Sequence, residues 1–156
     1  MKDSIFKAYD IRGIYPAEID KEAVKKIGQA AVQILGAKKV VIGHDMRLSA
    51  KTLYPVLQEG LLEMGCEVVD IGLCSTPMSY FANVYFKADA SLMLTASHNP
   101  AEYNGFKLCG KDAQPFTTFA PTKKIEKLIK DGVFKQSDTK GKIRQEEILD
   151  QYIERI

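Results

Sequence analysis

One stretch of the chain sets a hydroxyl, an imidazole and a carboxamide in consecutive positions: Ser97-His98-Asn99, closed by Pro100. It follows the apolar run Leu92-Met93-Leu94 almost directly. So short an apolar run, ended at once by turn formers, marks a buried strand rather than a helix. Ser97 is then expected just past the carboxyl end of that strand, the side of an open α/β sheet on which ligands collect. Pro100 drives Asn99 toward an extended backbone, and the Asn99 carboxamide can bond to nearby main chain. A hydroxyl held at such a rim could carry a transferred group. The same residues also make an ordinary turn, so their types alone decide nothing.

Other residues could supply charge and move protons. Lys107 follows Phe106 and precedes Leu108, and period-two alternation puts it on the opposite face of a strand from both. Tyr9 and Arg12 lie in Tyr9-Asp10-Ile11-Arg12-Gly13. A guanidinium fork matches two phosphate oxygens at once, while a surface pair with Asp10 is the plainer use for Arg12. Asp45 and Arg47 fall in a loop after the β-branched run Val40-Val41-Ile42. His98 could orient a bound phosphate or help move a proton. As the next residue along an extended turn, it is expected to point away from the Ser97 hydroxyl. No glycine-flanked elbow surrounds Ser97 either, which disfavours a Ser-His hydrolase.

Thr95-Ala96-Ser97-His98-Asn99-Pro100, followed by Tyr103-Asn104-Gly105-Phe106-Lys107, resembles the phosphoserine loop of the α-D-phosphohexomutases. The segment around Arg12 resembles that family's N-terminal arm, and His44-Asp45-Met46-Arg47 its Gly-x-Asp-x-Arg loop. The spelling Phe6-Lys7-Ala8-Tyr9-Asp10-Ile11-Arg12-Gly13 is similar to the phosphomannomutase/phosphoglucomutase branch. The resemblance implies interconversion of hexose 1-phosphate and hexose 6-phosphate. Ser97 is implied as the phosphorylated carrier and, through its phosphate, as one ligand of Mg²⁺. Glucose 1,6-bisphosphate or mannose 1,6-bisphosphate is the implied intermediate. Ser97, His98, Lys107 and Arg12 are the implied catalytic residues. Tyr9, Arg12, Asn99 and Lys107 are the implied substrate contacts, and Asp45 and Arg47 the supports of the serine loop. The family's further domains carry an Asp-Gly-Asp-Gly-Asp metal loop, a sugar loop and a phosphate loop, and this sequence has none of them. The resemblance therefore implies the first domain, residues 1–145, with 146–156 a helix leading toward a second. Such a chain is expected to lack turnover alone and to work with the remaining domains of the same enzyme. The competing class is a non-catalytic α/β domain that binds a phosphorylated ligand or a partner.

These residues must be positioned by a sheet. Asp20 caps a helix whose apolar residues run from Ala23 to Leu35 and which Gly36 stops. Residues 39–42, 67–71 and 91–95 read as parallel strands between helices, one starting near Ser49 and one at Thr76-Pro77. Pro55 predicts a kink or a late start in the helix after Ser49. Asn104-Gly105 predicts a hairpin turn, and so an antiparallel edge strand at Phe106–Cys109. Residues 5–16 read as an irregular arm. Ala120-Pro121 opens a fourth helix, Val133 to Ile143 reads as a loose hairpin, and a last helix follows from Glu146 with no cap after it, as expected of a cut chain or a docked helix. The expected fold is three-layer α/β/α, with a mixed sheet of three parallel strands and one antiparallel edge strand.

Composition sets the limits. The net charge of +2 is too small and dispersed for a nucleic-acid or anionic-membrane partner. Cys66, Cys74 and Cys109 form no close pair, so buried, reduced thiols and a cytoplasmic location are expected. Met1-Lys2-Asp3-Ser4 has no apolar segment behind it to make a signal peptide.

Overall fold

In the computed structural model the first helix, α1 (Lys21–Leu35), starts and stops where the sequence predicts. Asp20 accepts a hydrogen bond from the Ala23 N–H at 2.8 Å, and Gly36 takes a φ of +61° after the last turn. Residues 5–116 and 121–156 are described; the initial tetrapeptide and Ala120 lie outside the described residues. Helix α2 (Ala50–Glu63) packs on α1 through glycines: a Cβ on Gly28 would sit 2.7 Å from Leu57 Cδ1. Pro55 lies inside α2 without delaying its start, on the exposed face. Helices α3 (Thr76–Tyr85), α4 (Pro121–Asp131) and α5 (Leu149–Arg155) complete the set.

Among the described residues six strands form one sheet: β1 (Ile11–Ile14), β2 (Lys39–His44), β3 (Glu67–Leu73), β4 (Ala90–Leu94), β5 (Tyr103–Cys109) and β6 (Lys142–Gln145). Their order is β1-β5-β4-β2-β3-β6. Strands β4, β2, β3 and β6 are mutually parallel, and β5 runs antiparallel to both β4 and β1. Alternate residues feed two cores. Val40, Ile42, Leu92, Leu94, Phe106 and Leu108 face the helices α1, α2 and α4, whereas Val41, Val69 and Ile71 pack with Ala82, Ala88 and Ile148 on the other side. The three-layer α/β/α architecture is thus as expected.

The sheet has six strands where four were expected, and β5 is not an edge. The arm at residues 11–14 closes over β5 as an outer strand, with Arg12 opposite Gly105. A Cβ on Gly105 would lie 1.8 Å from the Ile11 carbonyl oxygen, so only glycine admits β1. The reading of residues 133–143 as a hairpin is corrected too: 142–145 pair with β3 as a single parallel strand. Asn104-Gly105 is not a turn. Both residues lie within β5, because the buried Asn104 amide donates to Ser49 Oγ at 2.8 Å and its carbonyl accepts from the Gly105 N–H at 2.8 Å. That contact also occupies Ser49, which makes no side-chain cap on α2.

Gly105→Ala is expected to destabilise the fold by roughly 3 kcal/mol, since β1 must be pushed off β5. The shift in the urea midpoint measures it. A second expectation concerns Asp89, whose carboxylate accepts from the Lys39 and Lys38 N–H groups at 2.8 and 2.9 Å. The Lys39 bond, with the Lys38 bond and nearby lysine charge, holds its pKa below the ordinary value against the opposing push of burial. A depressed folded pKa contributes stability that is present above the unfolded value, about 3.9, and is lost as pH falls through the folded value. Asp89→Asn should therefore lower stability at pH 7 and flatten the acid limb of a stability-versus-pH curve below about pH 4.

Candidate functional site

Ser97 lies three residues past the end of β4, exposed, with φ +56°. A serine in the left-handed region is strained by about 1 kcal/mol or more. Both of its backbone polar groups are bound. Its N–H donates to Thr95 Oγ1 at 2.9 Å, and its carbonyl accepts from Arg47 Nη2 at 2.9 Å. The Thr95 hydroxyl donates onward to Asp45 Oδ2 at 2.6 Å. Because β2 and β4 are parallel neighbours, Asp45 and Thr95 leave the sheet side by side, and the Asp45 N–H donates to the Leu94 carbonyl.

Arg47 organises the rest of the loop. Its Nη1 donates to the carbonyls of Pro100 (2.6 Å) and Tyr103 (2.9 Å), and its Nη2 to those of Asn99 (2.7 Å) and Ser97. Its Nε donates to Asp45 Oδ2 at 3.2 Å, and its backbone N–H to Asp45 Oδ1. A guanidinium has five N–H donors, and every one is occupied here. Its side chain is only 9 % exposed. Arg47 therefore shapes the loop and has no donor left for a ligand.

Arg12 is placed differently. From β1 it reaches Asn99 Oδ1 through Nη1 at 2.5 Å and pairs with Asp10 Oδ2 through Nη2 at 2.5 Å. Its remaining N–H groups make no hydrogen bond among the described residues. Beside it opens a cavity of about 450 Å³ lined by Lys7, Asp10, Arg12, Glu18, His98, Asn99 and Tyr103. The arm and the serine loop thus form its two walls.

The expected site residues are not all brought together. Arg12, His98 and Asn99 share the cavity, with Ser97 next to its wall. The Ser97 hydroxyl is 3.5 Å from His98 Nδ1, at the outer limit of a hydrogen bond. Asp45 and Arg47 stand behind the loop. Tyr9 is 71 % exposed and Lys107 is half-buried opposite Met93 on β5; neither lines the cavity. Lys7, Glu18 and Thr95 were not singled out in the sequence. Thr95 was detectable in principle, as a hydroxyl two residues before a residue forced into a turn.

The thiols take no part. Burial pushes Cys74 up to about 12 and Cys66 up to about 11, and burial raises Cys109 against the opposing pull of Ser91 and Lys107. All three are protonated at neutral pH and poor nucleophiles.

Comparison with known proteins bears on this geometry. Residues 3–136 match the family described as phosphoglucomutase/phosphomannomutase, alpha/beta/alpha domain I. The chain belongs to that family. A phosphomannomutase of Klebsiella pneumoniae is 37% identical over 151 residues, covering 96% of each chain. A phosphomannomutase of Escherichia coli is 37% identical over 153 residues, but there the chain spans only 34% of the relative's length. A phosphoglucomutase/phosphomannomutase family protein from Burkholderia thailandensis has a solved structure that superposes with a TM-score of 0.84 at 35% identity, over 99% of this chain and 35% of that one. The chain therefore corresponds to domain I, about a third of the length of the longer family members it matches.

Arg47→Met keeps the aliphatic stem and removes every hydrogen bond from the guanidinium. Amide-exchange protection at Asn99 and Tyr103 should fall by at least about tenfold while β2 and β4 stay protected. Arg47→Lys, with one compact ammonium, should restore only part of it. Unchanged protection in the Met variant would remove Arg47 from its role as the loop's clamp.

Proposed function

We propose that Ser97 is the phosphoryl carrier of a phosphohexomutase that interconverts hexose 1-phosphate and hexose 6-phosphate. Phosphoserine at 97 would donate to the free hydroxyl of the sugar: the bond from phosphorus to Oγ breaks, the sugar oxygen bonds to phosphorus, and the hydroxyl proton passes to a base. The product is glucose or mannose 1,6-bisphosphate. After the intermediate turns over, its other phosphate returns to Ser97 and the proton is given back.

The observation that carries this reading is the fixed, outward-facing corner at Ser97, beside a cavity in which Arg12, His98 and Asn99 meet. A carrier must be reached from two directions by the two ends of one sugar, and an exposed hydroxyl on a pinned backbone allows that. His98 and Lys107 are the candidates for moving the proton. Arg12 and Asn99, with Tyr9, are the candidates for holding the substrate, and Asp45 and Arg47 keep the loop in shape. Membership of the family, with relatives named phosphomannomutase, supports the same reaction. A cytoplasmic location belongs to this reading; among the described residues no helix is long and apolar enough to cross a membrane.

Mg²⁺ in this reading would offset the charge of the phosphoserine. Among the described residues no group of three or more His, Cys, Asp or Glu could hold a cation, so Ser97 would supply one ligand through its phosphate and no more from those residues. The missing ligands and most sugar contacts are assigned to the further domains of the longer enzyme, toward which residues 146–156 would lead. A hydrolase reading is weakened by His98, which has no carboxylate partner to orient it among the described residues.

The test joins this chain to the remaining two thirds of the Escherichia coli relative. The chimera should take up label from radioactive glucose 1,6-bisphosphate on Ser97 and isomerise glucose 1-phosphate. Ser97→Ala should lower turnover by at least about a thousandfold. Label mapped to any other residue overturns the assignment.

A further inference from the structure

We infer that Met46, Leu48 and Leu73, on the rim beside the serine loop, seat an apolar surface of the part of the longer enzyme that lies outside this domain. This rests on the carrier reading above, in which further domains complete the site around Ser97.

Inside the sheet the aliphatic side chains of β2 and β3 are put away: Val40, Val41, Ile42, Val68, Val69 and Ile71 are all buried. At the carboxyl ends of the same strands the pattern reverses. Met46 is 86 % exposed, Leu48 83 % and Leu73 65 %. Single exposed apolar residues are ordinary, whereas several on one rim mark a contact surface. The parallel pairing of β2 with β3 puts these three on one rim. His44 stands opposite Leu73, the Cys74 N–H donates to the His44 carbonyl at 3.0 Å, and Met46 and Leu48 follow His44 within four residues.

Their backbone is held in place. The Arg47 N–H donates to Asp45 Oδ1 at 3.1 Å, and the Arg47 carbonyl accepts from the Ala50 N–H at 2.9 Å. The Leu48 carbonyl accepts from the Lys51 N–H at 3.3 Å. Before Leu73, Gly72 takes a φ of +62° and donates its N–H to Asp70 Oδ1 at 2.8 Å. Apolar side chains mounted on a fixed backbone lose less freedom when a partner covers them.

The position of the rim selects the occupant. This chain spans 34% of the Escherichia coli relative and 35% of the Burkholderia thailandensis structure, so most of each longer enzyme lies elsewhere. Strands β2, β3 and β4 are parallel, so the rim and the serine loop leave the sheet at one edge. Arg47, between Met46 and Leu48, donates to the Ser97 carbonyl at 2.9 Å. Groups that reach the Ser97 hydroxyl from that edge pass over these side chains. A second copy of this chain seated there would crowd the same hydroxyl and bring no new sugar contacts to it.

The experiment compares the 156-residue chain with the chimera described above, both carrying ¹³C-labelled methyl groups, in the presence of a soluble nitroxide. In the chain the methyls of Met46, Leu48 and Leu73 should relax strongly. In the chimera that enhancement should fall at least about fivefold, since the centre of an interface is packed like a protein interior. Exposed Val133, outside the rim, should relax equally in both. Met46→Glu combined with Leu48→Glu should leave the chain's urea midpoint unchanged, because both side chains are exposed, and should return Leu73 of the chimera to the accessibility seen in the chain. Rim methyls as accessible in the chimera as in the chain overturn the inference. So does shielding of Ile153 on α5 with none on the rim, and so does shielding in the chain that grows with its concentration, which would make the occupant a second copy. Radioactive label separates this from the carrier assignment: a shielded rim with label missing from Ser97 strikes the carrier reading alone, and label on Ser97 with an open rim strikes this inference alone.

Discussion

The serine loop exists in this form because one guanidinium replaces the hydrogen bonds that leaving the sheet takes away. Beyond Leu94 the chain turns through residues 97–102 with no strand to receive its carbonyls. Four of those in and beside the turn converge on Arg47. Each charge-assisted bond contributes roughly 1.5–3 kcal/mol where it is made, and the set is not additive. Asp45 stabilises the cation and turns it, and then extends the network to Thr95 and so to the Ser97 N–H. The parallel pairing of β2 with β4 is what puts Asp45 and Thr95 within reach of one another. Sheet topology and loop conformation are thus one constraint.

That constraint also divides the labour among cations. Arg47 and Arg12 are alike in sequence terms: each is two residues from an aspartate, and each is suited to phosphate. Only the count of occupied donors separates them. Arg47 has none left, whereas Arg12 keeps some beyond its bonds to Asp10 and Asn99. A cation whose whole donor set is bound to backbone carbonyls can hold a loop rigid but cannot exchange those bonds for a ligand without releasing the loop.

Much of this was legible in the residues, for identifiable reasons. The caps of α1 and the apolar runs of β2, β3 and β4 carry strong local signals, and they fell where expected. Strand β6, Lys142-Ile143-Arg144-Gln145, is exposed at every position and short, so it carries no alternation to read. Strand β1 is four residues on an arm broken by Gly13 and Pro16, and its place is decided by a distant glycine. Asn104-Gly105 gave a strong but misleading turn signal. The buried Asn104 side chain, donating to Ser49 and accepting from the Gly105 N–H, outweighs the local preference, as tertiary contacts generally do. For the site, residue types and spacing pointed to Ser97 and its supports, but the pairing state of Arg12 is a three-dimensional quantity.

Gly105 links these points. Its missing side chain lets β1 approach β5 closely enough for Arg12 to stand opposite it. The same approach brings the arm's Lys7 and Asp10 up to the wall that His98 and Asn99 present. Without it, Asp10, Arg12 and Asn99 would not meet, and the cavity would lose one side. A glycine in a strand costs backbone entropy, about 0.5–1 kcal/mol relative to alanine. Here that cost secures a two-walled cavity next to a pinned hydroxyl. The arm is therefore part of the sheet, and the geometry around Ser97 is set as much by the strand that covers β5 as by the loop that follows β4.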